Sequence, residues 1–497
     1  MDAPDRNAGR PEAGLDPVDW SEARAVAHRM VDDAVAYLQG LGERPCWQDP
    51  APVAAAFREP LPRKGSPLPD VYDALTRQLL PYAMGNIHPR FFAWYMGASS
   101  FTGALGDFLA AVQGSNLAGG RHAAALMDQQ VVGWLKEAVG FPAEASGALV
   151  SGGSMANLIA LNVARNAKAD VDVRRHGVAA ISRPLRFYAS DQVHSCHRKA
   201  LECLGLGDEA LRRVPTGKDL RIDGLALREA IVEDRRAGLQ PACLIGTAGT
   251  VNTGSVDDLE ALADVARDER LWFHVDGCIG ALLAISPNHR RLVAGLDRAD
   301  SVALDPHKWL HAPFEAGCVL VRDATAHRRT FAVTPEYLVQ APRGLASGEW
   351  LHEWGLQTSR GFRALKLWMM LKEQGIEAFG RLIDQGMDQA RHLATLVDEH
   401  PDLERIAPVP LNIVCFRYRK PGFDEVATKA LNLEILMRLQ EGGEATLSDT
   451  TVKGRHGLRA AVVSHRTRLA DIDRLVAGVV RLGRAVAGER EGCEASA

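Results

Sequence analysis

Four short segments of the 497-residue chain carry side chains suited to chemistry, and each stands where an apolar run ends. The first is Ser151-Gly-Gly-Ser-Met-Ala-Asn157, with Gly153 and Ser154 at its centre. Glycines let a backbone approach an anion closely, and the helical pattern that follows offers free N–H groups and a favourable dipole. A phosphate fits there, although a plain glycine turn accounts for the segment equally well when it is read alone. The second is Ser190-Asp-Gln-Val-His194-Ser195, whose histidine is suited to stacking on a flat heteroaromatic ring, to proton transfer, or to a structural role. The third, His274-Val-Asp276, stands at the end of an apolar strand pattern. A buried aspartate there requires a cationic or strongly donating partner, such as a protonated pyridine nitrogen or a structural hydrogen-bond donor. The fourth is Asp305-Pro-His-Lys308-Trp309, followed by Leu310. Read alone, Lys308 fits a surface lysine. Partial desolvation among Pro, His and Trp would instead lower its pKa toward a nucleophilic amine. Together an anion cradle, a ring-stacking histidine, a buried acid and a nucleophilic lysine are the parts needed to hold pyridoxal phosphate.

Such residues need a frame that ends its strands together. Candidate strands are Ala148–Ser151, Arg186–Ser190, Cys243–Gly246, Trp272–Val275, Ser301–Leu304 and Cys318–Val321, with helical patterns between several of them, including Ala156–Asn166 and Leu259–Arg267. This alternation predicts an α/β fold, a mostly parallel sheet with helices on both faces and ligands outside the strand carboxyl ends. The expected organisation is an N-terminal tail and helical dimerisation arm (1–95), a large cofactor-binding domain (96–365) and a small C-terminal α+β domain (366–497). Residues 1 to about 16 read as a loose tail. A helix capped by Asp19 or Ser21 follows, with Val26, Met30, Tyr37 and Leu38 on one face. The proline-rich stretches around Pro50 and from Pro60 to Pro69 read as an extended arm better buried against a partner, which points to a dimer.

Composition excludes several classes. Net charge is −4, pI about 6.5 and mean hydropathy −0.11, so no electrostatic case exists for nucleic acid or an anionic membrane. The eight cysteines form no CxxC pair, so neither a metal site nor a disulfide framework is signalled, and free thiols fit a reducing cytoplasm. The N-terminus lacks the apolar region of a secretory signal, and no run is long enough for a membrane span.

The four segments, in their order and spacing, resemble the group II pyridoxal-phosphate decarboxylases, fold-type I enzymes that include aromatic-L-amino-acid, histidine and glutamate decarboxylases. The resemblance runs from about residue 25 to 485. It also takes in His88-Pro-Arg-Phe-Phe92, Thr247-Ala-Gly-Thr250, Gly361-Phe-Arg-Ala-Leu-Lys-Leu-Trp368, Leu458-Arg459, Thr467 and Asp471-Ile-Asp473.

It implies that Lys308 forms the Schiff base and that Asp276 pairs with the pyridine nitrogen. It implies that His194 stacks on the ring and that Gly153 and Ser154 hold the phosphate. His307 and Asp305 would complete the phosphate end, and Thr250 would line the pocket near Asp276. Thr334-Pro-Glu-Tyr337-Leu338 resembles the family's catalytic loop, reached from the other subunit of a homodimer. A tyrosine there delivers a proton to Cα after carbon dioxide leaves, where aldehyde-forming members carry phenylalanine. Trp94 and Tyr95 match positions that line the pocket for aromatic substrates, and Asn116 stands where bulkier apolar groups are common. The sequence departs from the family at Met155, where a glutamate is usual, and at Gly277-Cys278, where alanines are commoner. The expected activity is decarboxylation of an L-amino acid, with an aromatic one as first choice, to carbon dioxide and an amine. The alternatives are oxidative decarboxylation to an aldehyde, or an acidic or other polar substrate.

Overall fold

The computed structural model describes residues 14–333 and 340–494. They divide into two compact units, Met1–Gly85 and Asn86–Ala497. In the first, helix Trp20–Gln39 starts at Asp19, whose carboxylate accepts the Ser21 N–H at 2.8 Å. Val26 is buried on the expected face, but Met30 is 47% exposed. A second helix, Leu68–Gln78, opens with a proline in its first turn and joins the first through Tyr72 Oη, which donates to Asp33 at 2.8 Å.

The second unit holds two sheets. The larger consists of β1 (Ser146–Val150), β2 (Leu185–Ser190), β3 (Leu211–Val214), β4 (Gln240–Thr247), β5 (Trp272–Asp276), β6 (Ser301–Leu304) and β7 (Gly317–Val321), in the order β1-β7-β6-β5-β4-β2-β3. The six strands expected from sequence are all present, within a few residues. β3 escaped sequence reading because it is four residues long and only its ends are buried. Pairings from β3 through β6 are parallel, whereas β7 runs antiparallel to both β6 and β1. Two reversals restore the direction, so β1 points the same way as β6. The carboxyl ends of β1, β2, β4, β5 and β6 therefore share one edge.

Both faces of this sheet are packed, as the two-residue period of a strand requires. Leu149, Tyr188, Leu244, Val275, Val302 and Leu320 lie in one core. Their neighbours Val150, Phe187, Cys243, Ala303 and Val321 lie in another. Helix Gly153–Lys168 covers the second face, and Ala156, Ala160 and Ala164, four residues apart, form a fully buried stripe of small side chains. The smaller sheet, β8 (Leu403–Arg405), β9 (Ile413–Tyr418), β10 (Ser448–Val452) and β11 (Arg455–Ala461), is antiparallel in the order β10-β11-β9-β8. It shares a core with helices Ile376–Glu399, Glu425–Glu441 and Leu469–Glu494. The segment leading to Trp94 is stitched to this sheet region: Phe92 N donates to Thr446 O at 2.7 Å, and Ala461 N donates to Phe92 O at 2.9 Å. No helix among the described residues is long and apolar enough to cross a membrane.

Candidate active site

At the shared strand edge lies a cleft of about 510 Å³ lined by Gly153, Ser154, His194, Asp276, Asp305, His307 and Lys308, together with Trp94 and Tyr95. Topology delivers each group. Ser154 follows β1, His194 follows β2, Asp276 ends β5, and Lys308 sits in the short helix Pro306–Trp309 after β6.

The anion cradle is the start of helix Gly153–Lys168, which no side chain caps. Its first N–H groups are thereby left for an external acceptor. Glycine is required here by crowding. A Cβ on Gly153 would stand 2.3 Å from Cys278 Sγ and 2.7 Å from Asp305 Oδ2, and a Cβ on Gly317 would stand 2.4 Å from Gly152 Cα.

Asp276 is held at both oxygens. Cys278 N donates to Oδ1 at 3.2 Å, and His197 Nε2 donates to Oδ2 at 2.9 Å. Burial works to raise its pKa, but the His197 hydrogen bond and the charges around it outweigh burial and hold it well below the carboxylate range. An ionised acid at the floor of a cleft suits a ring nitrogen that must keep its proton. Beneath it, Trp272 Nε1 donates to Ser301 Oγ (2.8 Å), which bonds His274 Nδ1 (2.9 Å), and His274 Nε2 bonds Asn157 Oδ1 (2.7 Å). Burial pushes His274 down to about 3, so its ring is neutral.

Lys308 departs from expectation. Burial does act to lower its pKa, but Asp305 Oδ2 stands 3.0 Å from Nζ, and with Cys278 and Asp276 nearby the net result is a raised value. The ion pair with Asp305 thus favours the ammonium form of the amine. Asp305, expected at the phosphate end, is thus also the counter-ion of the lysine, while its Oδ1 is buried with no hydrogen-bond partner. His307 Nδ1 accepts the Ala316 N–H at 3.3 Å, and its Nε2 lies 3.7 Å from Asp305. Partial desolvation lowers the His194 pKa, outweighing the pull of Asp276. Its Nδ1 accepts the Cys196 N–H at 3.2 Å, which places the ring proton on Nε2, free to donate.

Two expected residues lie elsewhere. Thr250 is buried, but its hydroxyl bonds Thr253 Oγ1 (3.2 Å) and accepts the Ser255 N–H (3.0 Å), so it braces its loop, while Thr247, Gly249 and Val251 line the cleft. Asn116 is exposed and outside the cleft. Its Oδ1 accepts the N–H groups of Ala118 and Arg360, both at 3.0 Å. Tyr337 falls outside the described residues. Conversely, sequence reasoning missed His197 and the role of Arg459. The buried Arg459 guanidinium donates to Trp94 O (2.6 Å) and Asn252 O (3.1 Å), tying two walls of the cleft together. The only signal for His197 was its place three residues after His194, one helical turn on. Cys196, His197 and Asp276 offer donor atoms within 4.8 Å of one another. His197 is hydrogen-bonded to Asp276, while the Cys196 thiol, kept protonated by burial, accepts from Asn157 Nδ2 at 3.5 Å, so the trio does not present a thiolate to a metal.

The groups lining this cleft fit pyridoxal phosphate: the helix start would take its phosphate, the ionised acid would face its nitrogen and the lysine would meet its aldehyde. Comparison with known proteins agrees. Residues 50–419 match the pyridoxal-dependent decarboxylase conserved domain. The chain is 34% identical to an aromatic-L-amino-acid decarboxylase of Bacillus atrophaeus, covering 94% of this chain and 96% of that one. It is 28% identical to a phenylacetaldehyde synthase of Petunia hybrida, covering 92% and 93%. The crystal structure of Oryza sativa TDC with PLP and tryptamine superposes with a TM-score of 0.87 at 27% identity, covering 95% of this chain and 99% of that one. The family match begins before the first sheet and runs through β9 of the second, well beyond the cofactor motifs, and the chain accordingly belongs to the pyridoxal-dependent decarboxylases, carboxy-lyases that work with pyridoxal phosphate.

Proposed function

We propose that this enzyme decarboxylates an aromatic L-amino acid to the corresponding amine, with Lys308, His194 and Tyr337 as its catalytic residues. The observation that carries the substrate class is the wall of the cleft. The Trp94 and Tyr95 rings, with Val251 and Ile279, face the same space as Lys308, and the Tyr95 hydroxyl is occupied by Asn412 Oδ1 at 2.9 Å. That wall offers ring surface, and Glu315, which also lines the cleft, is already paired with Arg363 at 2.6 Å, which suits an aromatic side chain. The relatives named for aromatic amino acids support the same class.

When bound, pyridoxal phosphate supplies the electron sink for the pair released as the carboxylate departs. The helix start at Gly153 and Ser154 would hold its phosphate, with His307 beside it, and His194 would lie against its ring. Asp276 would hold the proton at the ring nitrogen. Lys308 must shed its proton before its amine can react, and the Asp305 carboxylate 3.0 Å away opposes that loss. Protonation at Cα falls to Tyr337 or to the Nε2–H of His194.

In this reading residues 1–95 form an arm, 96–365 the cofactor-binding domain and 366–497 a small domain. We place the enzyme in the cytoplasm as a homodimer. Free cysteines among the described residues support a reducing compartment, and Phe108 and Val112, 61% and 70% exposed on helix Phe101–Gln113, support a buried face in an assembly. Light scattering during gel filtration reads the dimer directly.

The test is a panel of L-amino acids assayed for carbon dioxide and amine with wild type and Lys308→Ala. Release should be greatest with an aromatic substrate and fall by about a thousandfold or more in the variant, the scale on which a covalent catalytic group acts. Activity surviving in Lys308→Ala would overturn the assignment. Ammonia and hydrogen peroxide formed in step with carbon dioxide would transfer the enzyme to the aldehyde-forming class.

A further inference from the structure

His197 has no part in the chemistry described so far, yet it makes the closest side-chain contact to the ring acid. It is fully buried on helix Cys196–Cys203, which follows β2, and reaches past β4 to the end of β5. Its Nε2 stands 2.9 Å from Asp276 Oδ2, while its Nδ1 is buried with no hydrogen-bond partner. A cationic ring would leave a buried N–H unsatisfied at Nδ1, whereas a neutral ring leaves only an unused lone pair there. In either case the 2.9 Å contact requires a proton on Nε2, donating to an ionised Asp276.

We infer that His197 is a positioning residue for the cofactor: its Nε2–H occupies one oxygen of Asp276, fixes the carboxylate plane and leaves the remaining lone pairs to the ring nitrogen. Without that donor the Cys278 N–H alone, at 3.2 Å, would orient the acid. The other titratable groups around the pair are His194, Cys196, His274, Cys278, Lys308 and Asp305. Burial lowers the pKa of the histidines among them and raises that of both thiols, so Lys308 and Asp305 supply the remaining charge and largely offset each other at 3.0 Å. The hydrogen bond from His197 is thus the main local influence that keeps Asp276 ionised, and with it the proton on the ring nitrogen.

The inference rests on Asp276 being the partner of the ring nitrogen, so the experiment includes Asp276→Asn. Full-length cofactor-free protein would be titrated with pyridoxal phosphate and followed by tryptophan fluorescence. The loaded protein would be titrated with pH and followed by visible absorbance. In His197→Leu the dissociation constant should rise about 10- to 100-fold, the scale of one hydrogen bond to a charged group. The pH midpoint of the absorbance should move, and kcat should fall with KM little changed. His197→Gln keeps an N–H donor and should recover most of the lost affinity, to within about fivefold of wild type. A role in packing alone would make Gln and Leu alike and would leave the pH midpoint in place. Wild-type affinity and pH midpoint in His197→Leu, with both changed in Asp276→Asn, would overturn this inference and spare the Asp276 assignment. No change in Asp276→Asn would remove that assignment itself. Should circular dichroism show His197→Leu unfolded, His197→Gln decides: a folded Gln variant that binds the cofactor more than about tenfold more weakly refutes the role.

Discussion

The ion pair between Lys308 and Asp305 makes cofactor loading a pH-dependent event with a defined sign. Lys308 must react through a neutral amine, but its Nζ is 3.0 Å from the Asp305 carboxylate, with 18% and 3% of the two side chains exposed. Lys308→Ala removes the amine, whereas Asp305→Asn keeps it and deletes only the charge, preserving size and a hydrogen-bond acceptor. At this separation and an effective dielectric of about 20, the charge favours the ammonium by about 5 kcal/mol. Even a quarter of that corresponds to roughly a tenfold larger neutral fraction once the charge is gone. The wild-type pKa is raised, so the neutral fraction and the loading rate should grow about tenfold per pH unit through the neutral range. In Asp305→Asn the rate at neutral pH should increase at least about tenfold and its rising limb should shift to lower pH. Stopped-flow mixing of cofactor-free protein with pyridoxal phosphate, read by visible absorbance, gives the rate, and borohydride reduction verifies attachment at Lys308. Identical rates and pH dependence in the two proteins would refute the claim that Asp305 holds the lysine protonated.

Gly153→Ala should weaken cofactor binding at least about tenfold and destabilise the fold by about 1–3 kcal/mol, because its Cβ would stand 2.3 Å from Cys278 Sγ; fluorescence titration and urea denaturation measure the two effects. Arg360→Ala should cost about 3–5 kcal/mol in urea, since the guanidinium donates to Leu117 O at 3.1 Å and Leu149 O at 2.9 Å and lies 3.6 Å from the buried Asp128. Burial already raises the pKa of Asp128 and the loss of Arg360 raises it further, so that deficit should shrink as pH falls. Tyr337→Phe should lower amine yield and increase ammonia and peroxide per carbon dioxide released; an unchanged product ratio would remove Tyr337 as the proton donor.

Much of the frame was legible before any coordinates. Ser301–Leu304 and Trp272–Asp276 are buried along their whole length, so their apolar runs announce strands whatever surrounds them. Polar and glycine residues stand directly after those runs, and a strand's end must open at an edge of the sheet. The residue types near the cofactor could be read for the same local reason. The direction of β7 could not, because a short apolar run looks the same in a parallel or an antiparallel pairing.

Chemical type and chain order, which are local properties, determined the cofactor and singled out Lys308 and Asp276 as candidates to hold it. Orientation is not local. Thr250 and Asn116 have suitable types, but hydrogen bonds to Ser255 and Arg360 turn them to other work. Asp305 acts on Lys308 because the turn after β6 folds their side chains to 3.0 Å. His197 meets Asp276, 79 positions later in the chain, only because the sheet order leaves a single strand, β4, between β2 and β5. The charge that tunes Lys308 and the donor that orients Asp276 were decided by tertiary structure, since electrostatic and hydrogen-bond energies depend on distance through space and not along the chain.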